Sequence, residues 1–307
     1  MKVLLPIDGS VYSDRAIEYI CEHSSLKTDT VYLLNVQKKL PSGFASKIPN
    51  SEEILDEAAK KNLKPAKKAL EAAGYKVKMK VAYGKATNRI VEYAQEIPAT
   101  LIVMGSHGHT PVKGILLGSK TSSVLASTPI PLLVIRHKFY QKPGRTEVGV
   151  CLDGSEYSPA VLTFIKRRLP LFAKDARFHL INVASPQNGL LIPEVSAFGA
   201  PALSSEEFEK EQREPFFKIA EPFEKYMQEK GHEVVEALLT GDPAAQISKY
   251  AKEHNLSLMV MGTHGGNSLR IMMLGSVTMS VASQTKLPML LVHHDDPTLL
   301  RDLSKEE

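Results

Sequence analysis

Two glycine-rich segments hold the residues with the clearest chemical potential in this chain. They read "MGSHGHTPVKGILLGS" at 104–119 and "MGTHGGNSLRIMMLGS" at 261–276, with three of the four glycines in each at matching positions. Glycine lets a backbone turn with positive φ and lets a ligand approach closely. Backbone N–H groups in such turns and at helix starts bind anions. The spacing therefore predicts a phosphate cradle built from main chain.

A carboxylate follows an apolar run in two further places. Asp8 stands in "PIDGS" and Asp153 in "CLDGS". A carboxylate at such a point suits a ribose hydroxyl or, through a metal, phosphates. Each feature alone also has a structural interpretation, because glycine-rich loops are often turns and Asp or Ser often caps a helix. Their joint occurrence, twice in one chain, favours a ligand site.

Two common phosphate-binding motifs do not describe these segments. No Gly-Lys-Ser/Thr follows the glycines, which excludes the usual P-loop. The dinucleotide fingerprint belongs after a first strand, whereas these glycines come late in each half of the chain. The predicted cradle is therefore of a different kind.

The sequence contains an internal repeat, and the elements of each copy position the predicted site. "VLLPIDGSVYSDRAI" at 3–17 matches "VGVCLDGSEYSPAVL" at 148–162. "YGKATNRIVEYAQE" at 83–96 matches "TGDPAAQISKYAKE" at 240–253. The offset between copies grows along the chain, which predicts an insertion in the second half. The predicted bounds are a first domain at 1–138, a linker at 139–145, a second domain at 146–295, a tail at 296–307 and the insertion within 184–205.

Apolar runs and amphipathic segments alternate in each half as β-α-β-α-β-α-β-α-β. This order predicts the α/β class, with two tandem Rossmann-like domains, each a five-stranded parallel sheet covered by helices on both faces. Ligands of such sheets bind beyond the carboxyl ends of the strands, where the strand order reverses. The last strand of each half would be an open edge, so we expect the halves to pair through it as a pseudo-twofold dimer. A further homodimer is left open.

Composition argues against several other classes of protein. The formal net charge of +4 over 307 residues is too small to favour a polyanion-binding surface. The two cysteines, Cys21 and Cys151, form neither a disulfide framework nor a metal site. No segment has the apolar length of a membrane helix, and the start of the chain lacks a signal-peptide pattern. We therefore expect a cytoplasmic protein without nucleic-acid or membrane partners.

The repeated motif resembles that of a known family. Both glycine segments match the G-x2-G-x9-G-[ST] motif of ATP-binding universal stress proteins, and "PIDGS", "CLDGS", "MGSHG" and "MGTHG" are similar to that family too. The resemblance covers nearly the whole chain, as two tandem domains. It implies that each domain binds ATP or another adenine nucleotide, usually with a divalent ion such as Mg²⁺ at the phosphates.

The resemblance also implies which residues form each site, with the strand ends at the base and ribose and the glycine segments at the phosphates. Together with the loop histidines and the residues after Gly-Ser, the first set is Pro6, Ile7, Asp8, Val36, Met104, Gly105, His107, Gly108, Gly118, Ser119, Lys120 and Thr121. The second set is Leu152, Asp153, Val183, Met261, Gly262, His264, Gly265, Gly275, Ser276, Val277 and Thr278.

One position departs from the family pattern. After Gly-Ser the family usually has a small apolar residue, as Val277 is, whereas the first half has Lys120. Its ammonium could reach a phosphate or point to solvent, and the outward splay of side chains at helix starts favours solvent.

Three functions stay open at this stage. The first is a nucleotide sensor or store, favoured because neither His107 nor His264 has the companions of a catalytic or metal site. The second is a slow ATPase or autophosphorylating enzyme that uses Asp8 or Asp153 with a metal. The third is a scaffold whose pockets are vestigial or hold a ligand other than a nucleotide.

Overall fold

The structure is a computed structural model that describes residues 1–22, 30–40, 50–108, 117–137, 145–155, 157–184, 205–263 and 274–293. Apart from their end residues, the predicted linker and insertion lie outside the described residues, as does the whole tail. His264 and Gly265 of the second predicted site lie outside them too.

Strands and helices alternate along each half, as the sequence predicts. The first half contains β1 (Lys2–Pro6), α1 (Val11–Glu22), β2 (Thr30–Gln37), α2 (Ser51–Ala72), β3 (Lys76–Tyr83), α3 (Ala86–Glu96), β4 (Leu101–Gly105), α4 (Ser119–Leu125) and β5 (Leu132–Ile135). The second contains β6 (Glu147–Cys151), α5 (Ser158–Arg167), a 3-10 turn (Leu169–Leu171), β7 (Arg177–Ala184), α6 (Ser205–Glu229), β8 (Glu233–Thr240), α7 (Pro243–Glu253), β9 (Leu258–Gly262), α8 (Ser276–Gln284) and β10 (Met289–Val292).

Apolar side chains cover both faces of the strands. One core layer includes Ile20 of α1, Leu63 of α2 and Phe223 of α6, and the opposite layer includes Ile90 of α3 and Val281 of α8. All five residues of β4 are buried, which accounts for its uninterrupted apolar sequence. The predicted α/β class with helices on both faces is confirmed.

The two halves share one sheet. Its strand order is β3-β2-β1-β4-β5-β10-β9-β6-β7-β8, and the pairs within each half are parallel. β5 and β10 pair antiparallel, with Leu133 opposite Leu290. The expected pairing of the halves through their last strands is therefore confirmed, but the two five-stranded sheets merge into a single ten-stranded one.

An arginine reinforces the junction between the halves. Arg136 follows β5, and its Nη1 donates hydrogen bonds to the carbonyl oxygens of Ala282 and Thr285, the latter at 3.0 Å. The last carbonyls of a helix have no partner within the helix, so the guanidinium satisfies acceptors at the end of α8. Arg136 of the first half thereby caps the carboxyl end of a helix in the second half.

The strand order also locates the crevice where a ligand is expected. β1 lies between β2 and β4, so the chain leaves β1 on one side and returns on the other. The loops that follow β1 and β4 therefore diverge beyond the carboxyl ends of these strands. β6 and β9 have the same relation in the second half. Within the described part of the chain, none of the helices combines the length and apolar character that crossing a bilayer requires.

A buried histidine network lies near the amino ends of β6 and β7, away from the crevice at the carboxyl ends. His179 of β7 places Nε2 2.8 Å from a carboxylate oxygen of Glu147 and Nδ1 2.8 Å from the hydroxyl of Tyr250. A neutral imidazole satisfies both, by donating to the carboxylate and accepting from the phenol. Burial lowers the pKa of His179, with His254 and Arg177 adding to the effect, although Glu147 opposes it.

This lowered pKa makes stability depend on pH in a defined direction. The unfolded chain takes up a proton at His179 near its ordinary pKa of about 6.5, while the folded chain resists until lower pH. We expect the free energy of unfolding to be highest above that pH and to fall as the pH drops towards the lowered folded pKa. His179→Gln should reduce this slope in urea unfolding at about pH 7.5 and about pH 5.5. Equal slopes in the two proteins would show that His179 does not carry the effect.

Candidate functional site

A cavity of about 310 Å³ opens beyond the carboxyl ends of β1 and β4. Every residue of the first predicted set lines it: Pro6, Ile7, Asp8, Val36, Met104, Gly105, His107, Gly108, Gly118, Ser119, Lys120 and Thr121. Residues separated by more than a hundred positions thus meet at one place, although their contact with a ligand stays a prediction.

Four lining residues were not predicted, namely Ser13, Leu34, Ala86 and Ile90. Periodicity could have found three of them. Leu34 lies two residues before Val36 on β2 and therefore points to the same face of the sheet. Ala86 and Ile90 are four apart on α3 and share one face of that helix. Ser13 belongs to the first turns of α1, beside the loop that carries Asp8.

The cavity lining combines apolar and polar groups that come from different elements. Leu34 and Val36 of β2, Met104 of β4 and Ile90 of α3 form the apolar walls. The carboxylate, ammonium and hydroxyl groups come from the loop after β1 and the start of α4. Small-molecule sites commonly combine apolar walls with a few polar groups that orient the ligand.

Local hydrogen bonds fix the loop that carries Asp8. The backbone N–H of Ile7 donates to the carbonyl of Leu34 at 2.8 Å, and the Asn35 amide donates to the carbonyl of Ile7 at 2.7 Å. The Ser10 N–H then donates to Oδ1 of Asp8 at 3.1 Å. Gly9 has φ of +78°, a conformation that glycine adopts most readily. This turn directs the carboxylate to the cavity.

The Asp8 carboxylate is ionised at neutral pH. Burial alone would raise the pKa of Asp8, but hydrogen bonds from Ser10 and the ammonium of Lys120 lower it to a net value below the ordinary one. The cavity therefore contains a fixed negative charge that can accept hydrogen bonds from a ligand.

Lys120 is exposed, as expected at a helix start, and its ammonium also contacts the cavity carboxylate. Its Nζ lies 3.3 Å from Oδ2 of Asp8. Gly108 leaves room for this pair, because a Cβ there would lie 2.9 Å from Oδ2 and 3.5 Å from Nζ. The side chain is therefore open to solvent and at the same time paired with a charge of the cavity lining.

Packing against backbone explains why residues 105 and 118 are glycines. A Cβ on Gly105 would lie 2.5 Å from the backbone carbonyl of Tyr12 in α1, and one on Gly118 would lie 3.1 Å from the Ser106 carbonyl oxygen. The Gly118 N–H donates to that same oxygen at 2.6 Å. Contacts within the protein thus account for Gly105, Gly108 and Gly118, and the close ligand approach predicted for Gly105 and Gly108 is not needed to explain them.

Thr121 and α4 also differ from the expected phosphate cradle. The Thr121 hydroxyl is buried and donates to the carbonyl of Gly105 at 2.9 Å, so its proton holds the turn rather than a phosphate. The helix spans only seven residues. A helix this short aligns few peptide dipoles. The positive charge in this part of the cavity lining therefore comes mainly from Lys120.

The His107 side chain contacts Ser106 and Tyr12. Its Nδ1 lies 3.0 Å from the Ser106 hydroxyl, and its ring centroid lies 5.3 Å from that of Tyr12. Among the described residues, no group of three or more His, Cys, Asp and Glu side chains could hold a metal ion.

The sequence model of the universal stress protein family matches residues 1–136 and residues 144–293. This chain belongs to the universal stress protein family. It is 34% identical over 154 residues to universal stress protein MJ0577 of Methanocaldococcus jannaschii, across 45% of this chain and 95% of that protein. It is 31% identical over 135 residues to universal stress protein Slr1230 of Synechocystis, across 44% of this chain and 42% of that protein.

A solved structure supports the same architecture. The crystal structure of a universal stress protein from Archaeoglobus fulgidus aligns with a TM-score of 0.70 at 23% identity, covering 95% of this chain and 98% of that one. At this identity the comparison bears on the fold alone. It extends over both universal stress protein domains of the chain.

The second universal stress protein domain repeats the frame of the first. The Asn182 amide donates to the carbonyl of Leu152 at 2.9 Å, as Asn35 does to Ile7. The Gly275 N–H donates to the Thr263 carbonyl at 2.7 Å, and the Thr278 hydroxyl donates to the Gly262 carbonyl at 3.1 Å. Val183 and Met261 are the penultimate residues of β7 and β9, and Ser276 and Val277 begin α8.

The two domains differ at the carboxylate. Oδ1 of Asp153 accepts hydrogen bonds from the hydroxyls of Ser155 and Ser158, at 2.6 Å and 2.8 Å. In the first domain the Ser13 hydroxyl, which corresponds to that of Ser158, donates to the Ser10 carbonyl instead. Val277 brings no charge where Lys120 brings one. The aspartates of the two domains are therefore held by different chemistry.

Proposed function

We propose that the first domain of this universal stress protein binds an adenine nucleotide, with ATP as the ligand that the motif favours. The observation that carries the proposal is one cavity lined both by apolar side chains of β2, α3 and β4 and by the charged pair of Asp8 and Lys120. The base would lie between Val36, Ile90 and Met104, and the phosphates would lie towards Gly108 and Lys120. A volume of about 310 Å³ falls at the lower end of the range for small-molecule sites.

The ribose would lie between the base and the phosphates, beside Asp8. An ionised carboxylate accepts hydrogen bonds only, so it pairs naturally with the two hydroxyl donors of a ribose. The loop that fixes Asp8 is already formed by the bonds of Ile7, Asn35 and Ser10. A preformed acceptor reduces the ordering cost of binding.

We further propose that the protein acts as a nucleotide sensor or store. Hydrolysis by Asp8 with a metal would require that carboxylate to exchange its contact with Lys120 for a divalent ion. The His107 imidazole, the other candidate base in the cavity, contacts the Ser106 hydroxyl through Nδ1. These contacts favour stoichiometric binding over turnover.

We also propose the following four properties of the whole protein. They are a stress-response role, a cytoplasmic location, domain bounds of 1–138 and 146–295, and a second nucleotide site on the Asp153 side. The shared frame of the two domains supports the second site.

The ribose contact gives the sharpest test of this arrangement. We expect wild-type protein to bind ATP about tenfold or more tightly than 2′,3′-dideoxyATP, because a hydrogen bond to a charged group contributes about 1.5–3 kcal/mol. Asp8→Asn should remove most of this preference. The comparison of two ligands on one protein cancels any change in attraction for the phosphates. Calorimetric titration measures both affinities.

Asp153→Asn is the matched control, because it makes the same change in the other domain. We expect it to leave the preference at the first site in place. If Asp8→Asn retained the full preference for ATP, the ribose would not contact Asp8. If wild-type protein bound neither ligand, the proposed function itself would be wrong.

A further inference from the structure

We infer that Lys120 replaces the divalent cation in the first domain, so that this site holds nucleotide phosphates without Mg²⁺. The inference rests on the proposed function and deepens it, because it names the charge state and the cation requirement of the ligand. It is carried by the position of one ammonium group between a carboxylate and the glycine turn.

The ion pair holds the positive charge at the lining of the site. Nζ of Lys120 lies 3.3 Å from Oδ2 of Asp8, and both side chains line the same cavity. The Lys120 side chain is 52% exposed, so it reaches Asp8 without being enclosed. Gly108 is the neighbour that keeps this space open, since a Cβ there would approach both charged groups.

An ammonium in this position can serve the carboxylate and a phosphate together. It has three N–H donors, of which Asp8 needs one. The remaining donors can reach phosphate oxygens, for which lysine is a common point-charge partner. By neutralising Asp8, the same group also removes the repulsion between that carboxylate and an anionic ligand.

A divalent ion fits this set of residues poorly. Mg²⁺ in nucleotide sites is usually held by one or two carboxylates together with phosphates and water. Asp8 is the carboxylate that lines the cavity, and Lys120 already contacts its Oδ2. A metal ion at that oxygen would be close to a second positive charge, which disfavours it.

The second domain provides an internal comparison. Val277 occupies the position of Lys120, and the Asp153 carboxylate accepts hydrogen bonds from serine hydroxyls instead of pairing with a cation at that position. The lysine is therefore a feature of one domain and not a requirement of the shared fold.

The test compares ATP affinity in Mg²⁺ with affinity in EDTA, for wild-type protein and Lys120→Val. We expect the affinity of the first site of wild-type protein to change by less than about threefold when Mg²⁺ is removed. Lys120→Val should weaken ATP binding in EDTA by about tenfold or more, because it deletes a charge-assisted contact, and Mg²⁺ should restore much of the loss. Calorimetry gives the affinity and stoichiometry in each buffer.

Two further variants make the result specific. Lys120→Gln keeps most of the side-chain length and should behave like Lys120→Val, which separates loss of charge from loss of packing. Lys68→Gln makes the same change on the exposed face of α2, outside the cavity lining, and should leave both the ATP affinity and its Mg²⁺ independence unchanged. Circular dichroism verifies that each variant is folded.

The outcomes separate this inference from the function on which it rests. If EDTA weakened ATP binding by wild-type protein as much as it weakens binding by Lys120→Val, the inference would be overturned. The proposal that the protein binds a nucleotide would still stand. Failure of wild-type protein to bind ATP in either buffer would overturn both. Mg²⁺-independent binding that persists in Lys120→Val and Lys120→Gln would show that another group replaces the cation.

Discussion

Replacing Gly105 with alanine is expected to lower the free energy of unfolding by about 3 kcal/mol. A Cβ at this position would lie 2.5 Å from the carbonyl carbon and oxygen of Tyr12. Because the obstacle is the backbone of α1 and not a flexible side chain, β4 and α1 would have to move apart. Urea unfolding followed by circular dichroism measures the loss. The same shift should distort the cavity, which these two elements border.

Gly231→Ala is the control that isolates the steric part of this effect. Gly231 has φ of +80°, and nothing lies within 4 Å of the position its Cβ would take. Alanine there meets only the conformational cost of a left-handed backbone, about 1–2 kcal/mol. If Gly105→Ala were no more destabilising than Gly231→Ala, the close contact between β4 and α1 would be contradicted.

Replacing Leu290 with aspartate is expected to disrupt the junction of the two halves, at a cost of about 4 kcal/mol or more. Leu290 is 2% exposed and lies opposite Leu133, which is 6% exposed, in the antiparallel pair of β10 and β5. An aspartate there would be buried among apolar side chains. The expected result is a large fall in the urea midpoint, because the continuous sheet depends on this pair of strands.

Two variants accompany that measurement. Leu290→Met nearly conserves volume and should cost less than about 1.5 kcal/mol. Leu133→Asp places the charge on the facing strand and should be as destabilising as Leu290→Asp. If Leu290→Asp were as stable as Leu290→Met, the two halves would not depend on this junction.

The fold was accessible from the sequence because its signals are local. Uninterrupted apolar runs such as that of β4 predict strands buried on both faces, and the alternation with helices predicts a parallel sheet. The carboxyl ends of neighbouring parallel strands meet at one edge of a sheet. For this reason the sequence alone predicts that Asp8 after β1 and the glycine segment after β4 border the same crevice.

Side-chain direction was not accessible in the same way. The orientation of Lys120 depends on Asp8, which is far away in the sequence, and the partner of the Thr121 hydroxyl is a carbonyl at the end of β4. The need for glycine at 105 comes from the backbone of α1. Each of these depends on how elements pack, and a residue's type and spacing do not contain that information.

The junction of the halves is predictable from the sequence only in part. An open last strand predicts that the halves pair, because the unpaired N–H and C=O groups at a sheet edge can form hydrogen bonds with another strand. The antiparallel register of Leu133 with Leu290, and the bonds from Arg136 to the end of α8, depend on the relative position of the two halves. Sequence periodicity within one half cannot specify that position.

Photolabelling with 8-azidoATP tests the central claim most directly, because the reactive group lies on the base. We predict that light attaches the label to residues of the apolar lining of the first-domain cavity, formed by β2, α3 and β4, and that excess ATP prevents it. Mass spectrometry of the digested protein identifies the labelled peptide. Labelling that ATP does not prevent, or ATP-protected labelling confined to peptides outside both nucleotide sites, would contradict the account.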